Sequence, residues 1–327
     1  MTGLVVCGSR NIFTVVPSSE AVPGMEIPKE YPDSKNITLE CRIKGKVLKG
    51  MEDYYNPLAP GDRVHIETDP LNPGTAQITA VEERRNMLTR FNQKGQKSQI
   101  LAANIDIALC MTSLVSPPFR PRFLDRVLIQ SELNGITPII LCNKWDIYND
   151  LPGKNCSAEE RLSNYARIGY TVLRISAKTG YGLKELRSLI TGKTSALLGQ
   201  SGVGKTSLIN ALSPGLSLKI GAINEKFDRG NHTTSLSIMV GLPGFKQPSF
   251  LIDTPGIRRM VPDGIKPQDI ALYMKEFSAF IGSCTFGLSC THRTEPGCTI
   301  LEALKKGAIH PDRYESFIRI GDELANL

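Results

Sequence analysis

Residues 199–206, Gly199-Gln200-Ser201-Gly202-Val203-Gly204-Lys205-Thr206, carry the G-x-x-x-x-G-K-[ST] spacing that cradles phosphate groups. The glycines let successive backbone N–H groups wrap the phosphates, Lys205 neutralises the β and γ groups, and the Thr206 hydroxyl suits Mg²⁺. Ser207 is taken into the same nucleotide-binding run. A second constellation, Asn143-Lys144-Trp145-Asp146, follows an apolar run at 139–142. A carboxylate there accepts two hydrogen bonds, and guanine presents N1–H and a 2-amino group on one edge where adenine has neither donor, so Asp146 selects guanine. Asn143 is placed to tie this loop to the phosphate loop or to touch the base, and the Lys144 stem to cover the ring. Ser176-Ala177-Lys178 supplies a backbone N–H for guanine O6. Asp253-Thr254-Pro255-Gly256 fits a carboxylate that holds Mg²⁺ through water and a Gly256 N–H that meets the γ-phosphate. In the polar loop Arg229-Gly230-Asn231-His232-Thr233-Thr234 one of the threonines completes the Mg²⁺ shell, with Thr234 preferred over Thr233. Together these runs describe a guanine-nucleotide site in which Thr206, Thr234 and Asp253 serve the magnesium ion.

The order of the runs is permuted. In an ordinary GTPase the phosphate loop precedes the base-reading loop, whereas here Asn143 comes before Gly199. Such a permutation is tolerable because domain termini often lie close together at the surface. It also leads the chain from Gly256, the γ-phosphate sensor, straight into the C-terminal region, so hydrolysis is expected to move that region. The position after Gly256 is Ile257, and an apolar side chain cannot orient the attacking water as glutamine does. His232 is the expected catalytic substitute, because an imidazole orients a water or accepts its proton. Arg229, Arg258 and Arg259 are candidate charge stabilisers, with nothing in the sequence to choose among them.

Cys284-x5-Cys290-x-His292-x5-Cys298 is the third chemical feature. Three thiolates and an imidazole make a closed four-coordinate site, which predicts one structural zinc ion. The other five cysteines are scattered singly and read as inert thiols, and eight cysteines without a secretory leader argue against a disulfide framework.

Elements that could hold these residues follow from hydrophobic period. Residues 1 to about 90 read as five short strands separated by proline and glycine, an OB-like barrel, with one long strand over residues 37–48. On that strand Arg42, Lys44 and Lys46 alternate and so share one face, either an RNA-binding stripe or edge protection by charge. Residues 82–99 are polar and basic without apolar period and read as a linker. From about 100 onward apolar strands alternate with amphipathic helices, the grammar of a doubly wound α/β sheet. The last segment is helical after the cysteine cluster. The expected domains are a barrel at 1–90, a P-loop domain at 91–279 and a zinc-binding domain at 280–327.

The chain has 327 residues, 39 basic and 32 acidic, and no apolar run long enough for a membrane helix. The whole excess of +7 falls between residues 101 and 280, outside the two regions best suited to touch RNA.

The permuted order NKWD, SAK, GQSGVGKTS, RGNHTTS, DTPGIRR, followed by CTFGLSCTHRTEPGC, closely resembles the RsgA (YjeQ) family of bacterial circularly permuted GTPases, over nearly the whole chain. That resemblance implies hydrolysis of GTP to GDP, stimulation by the small (30S) ribosomal subunit during late maturation, rRNA contacts through barrel and zinc domain, and a catalytic His232; separately, the chain is expected to be cytoplasmic, to involve no membrane and to be a monomer. Asn231 stands where the family often has arginine, and Arg258 and Arg259 replace glutamates often found there. A GTP-dependent switch for a protein partner, or a binding module with vestigial hydrolysis, remains the alternative.

Overall fold

The computed structural model describes residues 1–9, 11–18, 38–45, 53–93, 95–152, 156–216, 236–256 and 259–327. Strands β1 (Thr2–Ser9), β2 (Ile12–Pro17), β3 (Leu39–Ile43), β4 (Arg63–Thr68) and β5 (Thr75–Val81) close into a barrel in the order β1-β2-β3-β5-β4. Only β3 and β5 pair in parallel within it. Period-2 alternation drives closure: on β4 Val64 and Ile66 are buried while Arg63, His65 and Glu67 are exposed. The inward residues meet as one core, including Val5, Phe13, Val15, Cys41 and Ile78. The long strand expected over 37–48 is short. β3 ends at Ile43, and Lys44 lies beyond it with its Nζ 2.8 Å from Glu67 Oε2. Arg42 is exposed on the outer face beside Glu40, so the basic stripe is mixed in sign, and Lys46 lies outside the described residues.

Residues 82–99 are not an irregular linker. They contribute to a two-stranded hairpin, β6 (Met87–Asn92) and β7 (Lys97–Ala103), with Leu88 and Ile100 to Ala103 buried. Apolar period was weak because the hairpin satisfies much of its polarity through specific partners. Arg90 of β6, for example, bonds Gln99 of β7 at 3.0 Å, and just before the hairpin Arg84 bonds the fully buried Asp62 at 2.7 Å and 2.8 Å.

The central sheet has the order β10-β9-β8-β11-β13-β12 and is parallel except for β12. Its strands are β8 (Ile107–Ser113), β9 (Thr137–Asn143), β10 (Thr171–Arg174), β11 (Thr194–Gly199), β12 (Ile238–Gly241) and β13 (Phe250–Asp253). Helices α1 (Pro121–Leu133), α2 (Trp145–Asp150), α3 (Cys156–Arg167), α4 (Leu183–Ile190) and α5 (Lys205–Leu212) connect them. Alternate residues of single strands feed opposite cores. Ala108, Cys110, Ile140 and Leu198 join the α1 and α3 side, and Leu109, Met111, Leu141 and Leu197 join the α4 and α5 side. The double winding expected from the near-continuous apolar strands is present.

Beyond β13 a 3₁₀ segment (Pro267–Tyr273) and helices α6 (Thr299–Lys305) and α7 (Pro311–Ala325) surround the cysteine cluster. Their core, with Phe277, Ile300, Phe317 and Ile320, also takes Ile129 from α1. No helix among the described residues is long and apolar enough to cross a membrane.

Candidate functional site

Every parallel strand of the central sheet delivers its loop to the carboxyl edge, where open α/β sheets bind ligands. At that edge β11 runs into the glycine loop and α5, with Lys205 as the first helical residue. Gly204 has φ +101°, and a Cβ there would sit 2.4 Å from Asn143 Nδ2, so both backbone conformation and the neighbouring loop demand glycine. Lys205 Nζ bonds the Gly199 carbonyl at 3.1 Å, which bends the side chain back over its own loop. Thr206 and Ser207 are exposed at the helix start.

Asn143, buried at the end of β9, joins three loops. Its Nδ2 donates to the Val203 carbonyl at 3.0 Å and its Oδ1 accepts from the Ala177 N–H at 3.0 Å. Of the two roles open to it, bridging to the phosphate loop is the one the structure displays. Lys144 adds a second bridge, its Nζ donating to Ser116 O at 2.6 Å and Gly202 O at 2.8 Å from a left-handed backbone of φ +63°. Trp145 is buried, 5.0 Å from the Tyr148 ring, with the Arg174 guanidinium 5.0 Å from its own ring. Asp146 beside it is half-buried. Ser176 is fully buried and its Oγ accepts from Thr179 N–H at 3.1 Å. Because Ala177 spends its amide on Asn143, Lys178 holds the amide of this turn with no partner among the described residues.

Asp253 ends β13, paired in register with Leu197 of β11. Thr254 Oγ1 anchors the following loop to the Leu197 carbonyl at 2.6 Å. That brings Gly256 beside Lys205: a Cβ at 256 would lie 3.6 Å from Nζ. Burial pushes the Asp253 carboxyl up to about 6 against the pull of the Lys205 charge, and burial likewise pushes the Lys205 ammonium down. Asp253 Oδ1 is buried with no hydrogen-bond partner among the described residues. An orphaned carboxylate oxygen close to the Lys205 charge fits a hydrated divalent cation.

The raised carboxyl has a signed consequence. The folded chain holds a proton on Asp253 that the unfolded chain releases near pH 4, so this group's stabilisation is present below that value and lost as pH rises through about 6. Holding the carboxylate ionised at neutral pH costs on the order of 3 kcal/mol. Asp253→Asn is therefore expected to raise the nucleotide-free unfolding midpoint by several degrees at pH 7.5 and by little at pH 5, followed by circular dichroism. The same variant is expected to lose the Mg²⁺-dependent part of GTP affinity.

Cys284, Cys290, His292 and Cys298 converge as expected, with their ligand atoms within 4.8 Å of one another and all four residues buried. Cys284 and Cys298 sulfurs lie 3.8 Å apart and stand 3.6 Å and 3.5 Å from His292 Nδ1. Tetrahedral zinc with bonds of about 2.3 Å to sulfur and about 2.0 Å to nitrogen requires separations of roughly 3.8 Å and 3.5 Å. The donor set and spacing are those of a structural zinc centre. His292 reaches it from a left-handed backbone of φ +59°, with Tyr314 Oη donating to its carbonyl at 2.8 Å.

His232, Thr233 and Thr234 lie outside the described residues, as do Arg229, Asn231, Ile257 and Arg258. Arg259, one of three candidate charge stabilisers, is engaged elsewhere. Its Nε and Nη2 grip Glu323 Oε1 of α7 at 3.0 Å and 2.6 Å, and its Nη1 bonds Gln93 Oε1 of the hairpin at 3.0 Å. This clamp escapes sequence reading, since Arg259 and Glu323 are 64 residues apart.

A base-reading loop that meets its phosphate loop from earlier in the chain, on one parallel sheet, marks a circularly permuted P-loop GTPase, and this chain is one. Residues 81–261 match the family model described as RsgA GTPase. A Porphyromonas gingivalis protein named small ribosomal subunit biogenesis GTPase RsgA is 40% identical over 285 residues, 86% of this chain and 89% of the relative. One of the same name from Borrelia recurrentis is 37% identical over 320 residues, 98% of this chain and 93% of that one. The crystal structure of YjeQ from Thermotoga maritima superposes with TM-score 0.70 at 28% identity, covering 100% of this chain and 99% of that one. YloQ, described as a circularly permuted GTPase, shares the fold at TM-score 0.65 and 22% identity over 99% of this chain and 95% of its own. The chain belongs to the RsgA GTPase family.

Proposed function

We propose that this GTPase acts in maturation of the small ribosomal subunit, hydrolysing GTP to GDP and phosphate in the cytoplasm, and that the subunit stimulates the hydrolysis. The observation that carries the nucleotide reading is the Asn143 bridge, which locks base-reading, phosphate and Ser176-Ala177-Lys178 loops into one rim. The subunit assignment rests on family membership and on the names of the relatives.

In this reading Asp146 accepts the two guanine N–H donors, and the Lys178 amide, without a partner among the described residues, meets guanine O6. Backbone amides of residues 200–206 surround the β-phosphate, and Lys205 leaves the Gly199 carbonyl to bind the β and γ oxygens. Asp253, Thr206 and one of Thr233 and Thr234 hold Mg²⁺, whose charge neutralises the developing phosphate oxygens. Gly256 approaches the γ-phosphate beside Lys205. His232 orients the attacking water, since Ile257 has no polar atom for that work. Zinc at the Cys284, Cys290, His292 and Cys298 centre is structural. Arg42, Lys44 and Lys46 of the barrel region are assigned to rRNA contact, in a monomeric chain divided near residues 90 and 280.

The test is GTP turnover with and without purified small subunits. A severalfold or larger stimulation, lost in His232→Ala while GTP affinity holds, supports the reading. No stimulation, together with no co-sedimentation, overturns it in favour of a switch for a protein partner. Asp146→Ala removes two charge-assisted hydrogen bonds, so GTP affinity is expected to fall about 100-fold while the weak ATP affinity stays put, measured by labelled-nucleotide titration.

A further inference from the structure

A cavity of about 330 Å³ opens between the start of α1 and the residues that follow the Asp253 loop. None of its lining residues belongs to the nucleotide loops described above. Four of its lining residues are arginines, Arg120, Arg122, Arg126 and Arg259, and two are half-buried phenylalanines, Phe119 and Phe123.

Cation charge here exceeds its compensation. Arg126 and Arg259 share the single carboxylate of Glu323, at 2.5 Å and 2.6 Å. Arg122 shares Glu315 with Arg319, at 2.8 Å and 2.5 Å. Arg120 is exposed and has no partner among the described residues, and the Arg122 Nε is buried without one. Five guanidiniums thus stand against two carboxylates. Unspent planar donors of this kind match phosphate oxygens in fork geometry.

Charge alone suits any polyanion, and the aromatics decide between them. Phe119-Arg120-Pro121-Arg122-Phe123 interleaves rings with guanidiniums inside five residues, so phosphate forks and stacking faces alternate at close quarters. Each phenylalanine is packed on the core of the sheet, which holds its ring in place. Bases stack on such rings whatever their identity, and single-stranded RNA offers a base beside every phosphate. A volume near the lower end for small-ligand pockets admits a nucleotide unit but not a helix of about 10 Å diameter.

We propose that this cleft binds a single-stranded RNA segment, with phosphates on Arg120 and Arg122 and a base against Phe119. The proposal rests on the ribosomal reading above and adds to it a site outside the barrel and the zinc region. Its position has a functional edge. Met260, on the cleft wall, follows Gly256 by four residues, so an RNA seated there touches the segment leading out of the γ-phosphate loop.

The test uses the full chain and a short fluorescein-labelled single-stranded oligoribonucleotide of mixed sequence, followed by anisotropy across a salt titration. Arg120→Glu, which breaks no existing pair, is expected to weaken binding about 10-fold or more. Arg120→Gln with Arg122→Gln is expected to lower the salt slope by about 1.4, the change for two lost single-strand phosphate contacts. Phe119→Ala is expected to lose on the order of 10-fold at every salt concentration without changing that slope. Intrinsic GTP turnover is expected to match the parent in Arg120→Glu, which also shows that the fold is intact. Parent-like binding by both arginine variants overturns the proposal. So does displacement of the oligonucleotide by a polyglutamate peptide as readily as by unlabelled RNA, which points to an acidic protein segment instead. Failure of the ribosomal reading looks different: the parent chain then ignores purified subunits in turnover and sedimentation, whatever the oligonucleotide result.

Discussion

Asp125→Ala is expected to destabilise the folded chain by about 4 kcal/mol and to loosen the C-terminal region from the sheet. Asp125 on α1 is fully buried and accepts from Arg313 Nη1 at 2.6 Å, Arg161 Nη2 at 2.8 Å and Tyr165 Oη at 2.5 Å. Arg313, on α7, is itself fully buried and also bonds Glu276, while Arg161 on α3 reaches Asp312 at 2.7 Å. Removing the shared carboxylate leaves two guanidiniums in low dielectric, each with one anion fewer. Burial alone would raise the Asp125 carboxyl, yet Arg313 and Arg161 outweigh it and hold it below the ordinary range. Its contribution is therefore present at neutral pH and is lost only as pH falls through that depressed value. Urea unfolding at pH 7 measures the cost. Asp125→Asn keeps one acceptor oxygen but turns an amide N–H2 donor toward the Arg313 or Arg161 guanidinium, so it is expected to lose nearly as much. A loss under 1 kcal/mol in Asp125→Ala would show that the cluster does not hold α7 to α1.

Zinc removal is expected to act on the same region by a different route. One zinc per chain is expected by elemental analysis, and Cys298→Ser is expected to reduce it to trace level. Structural zinc supplies roughly 10–16 kcal/mol in isolated finger peptides. Here the loss is expected to be smaller, because Phe317, Phe277 and Ile300 form an apolar core beside the ligands that needs no metal. The unfolding midpoint of the C-terminal region should still drop by more than 10 °C. Limited proteolysis should then cut first between residues 280 and 298. GTP affinity should stay within about twofold, since the nucleotide loops among the described residues all extend from the central sheet. Full zinc content in Cys298→Ser would remove that residue from the ligand set.

These two effects mark different depths of legibility. The cysteine cluster could be read at once because a metal site constrains residue type and spacing together, and the folded distances match the expectation. The nucleotide loops among the described residues were equally open, since each follows the end of β9, β10, β11 or β13. Asp125 left a fainter signal, a charge inside the apolar stripe Leu124, Val127 and Leu128. Its partners are 36, 40 and 188 residues away, beyond any local pattern. The hairpin at 87–103 was missed for a related reason. Its buried residues sit together at one end, Leu88 and Thr89 on β6 and Ile100 to Ala103 on β7, with no alternation to read, while Arg90, Asn92 and Gln99 keep the rest polar.

By itself the sequence made the chemical class legible: a guanine-nucleotide GTPase, a Cys3His cluster, and a permuted order of loops on a parallel sheet. Glycine spacing, carboxylate identity and thiol spacing are covalent facts, and each dictates its ligand with little help from the rest of the chain. Tertiary structure alone decided how the pieces are joined. It assigned Asn143 to bridging, sent Arg259 to Glu323 and away from the nucleotide, ended β3 before Lys44, and gathered four arginines around one cleft. Those outcomes depend on which distant charges and amides meet, and a buried charge takes whichever counter-ion the packed fold brings within reach.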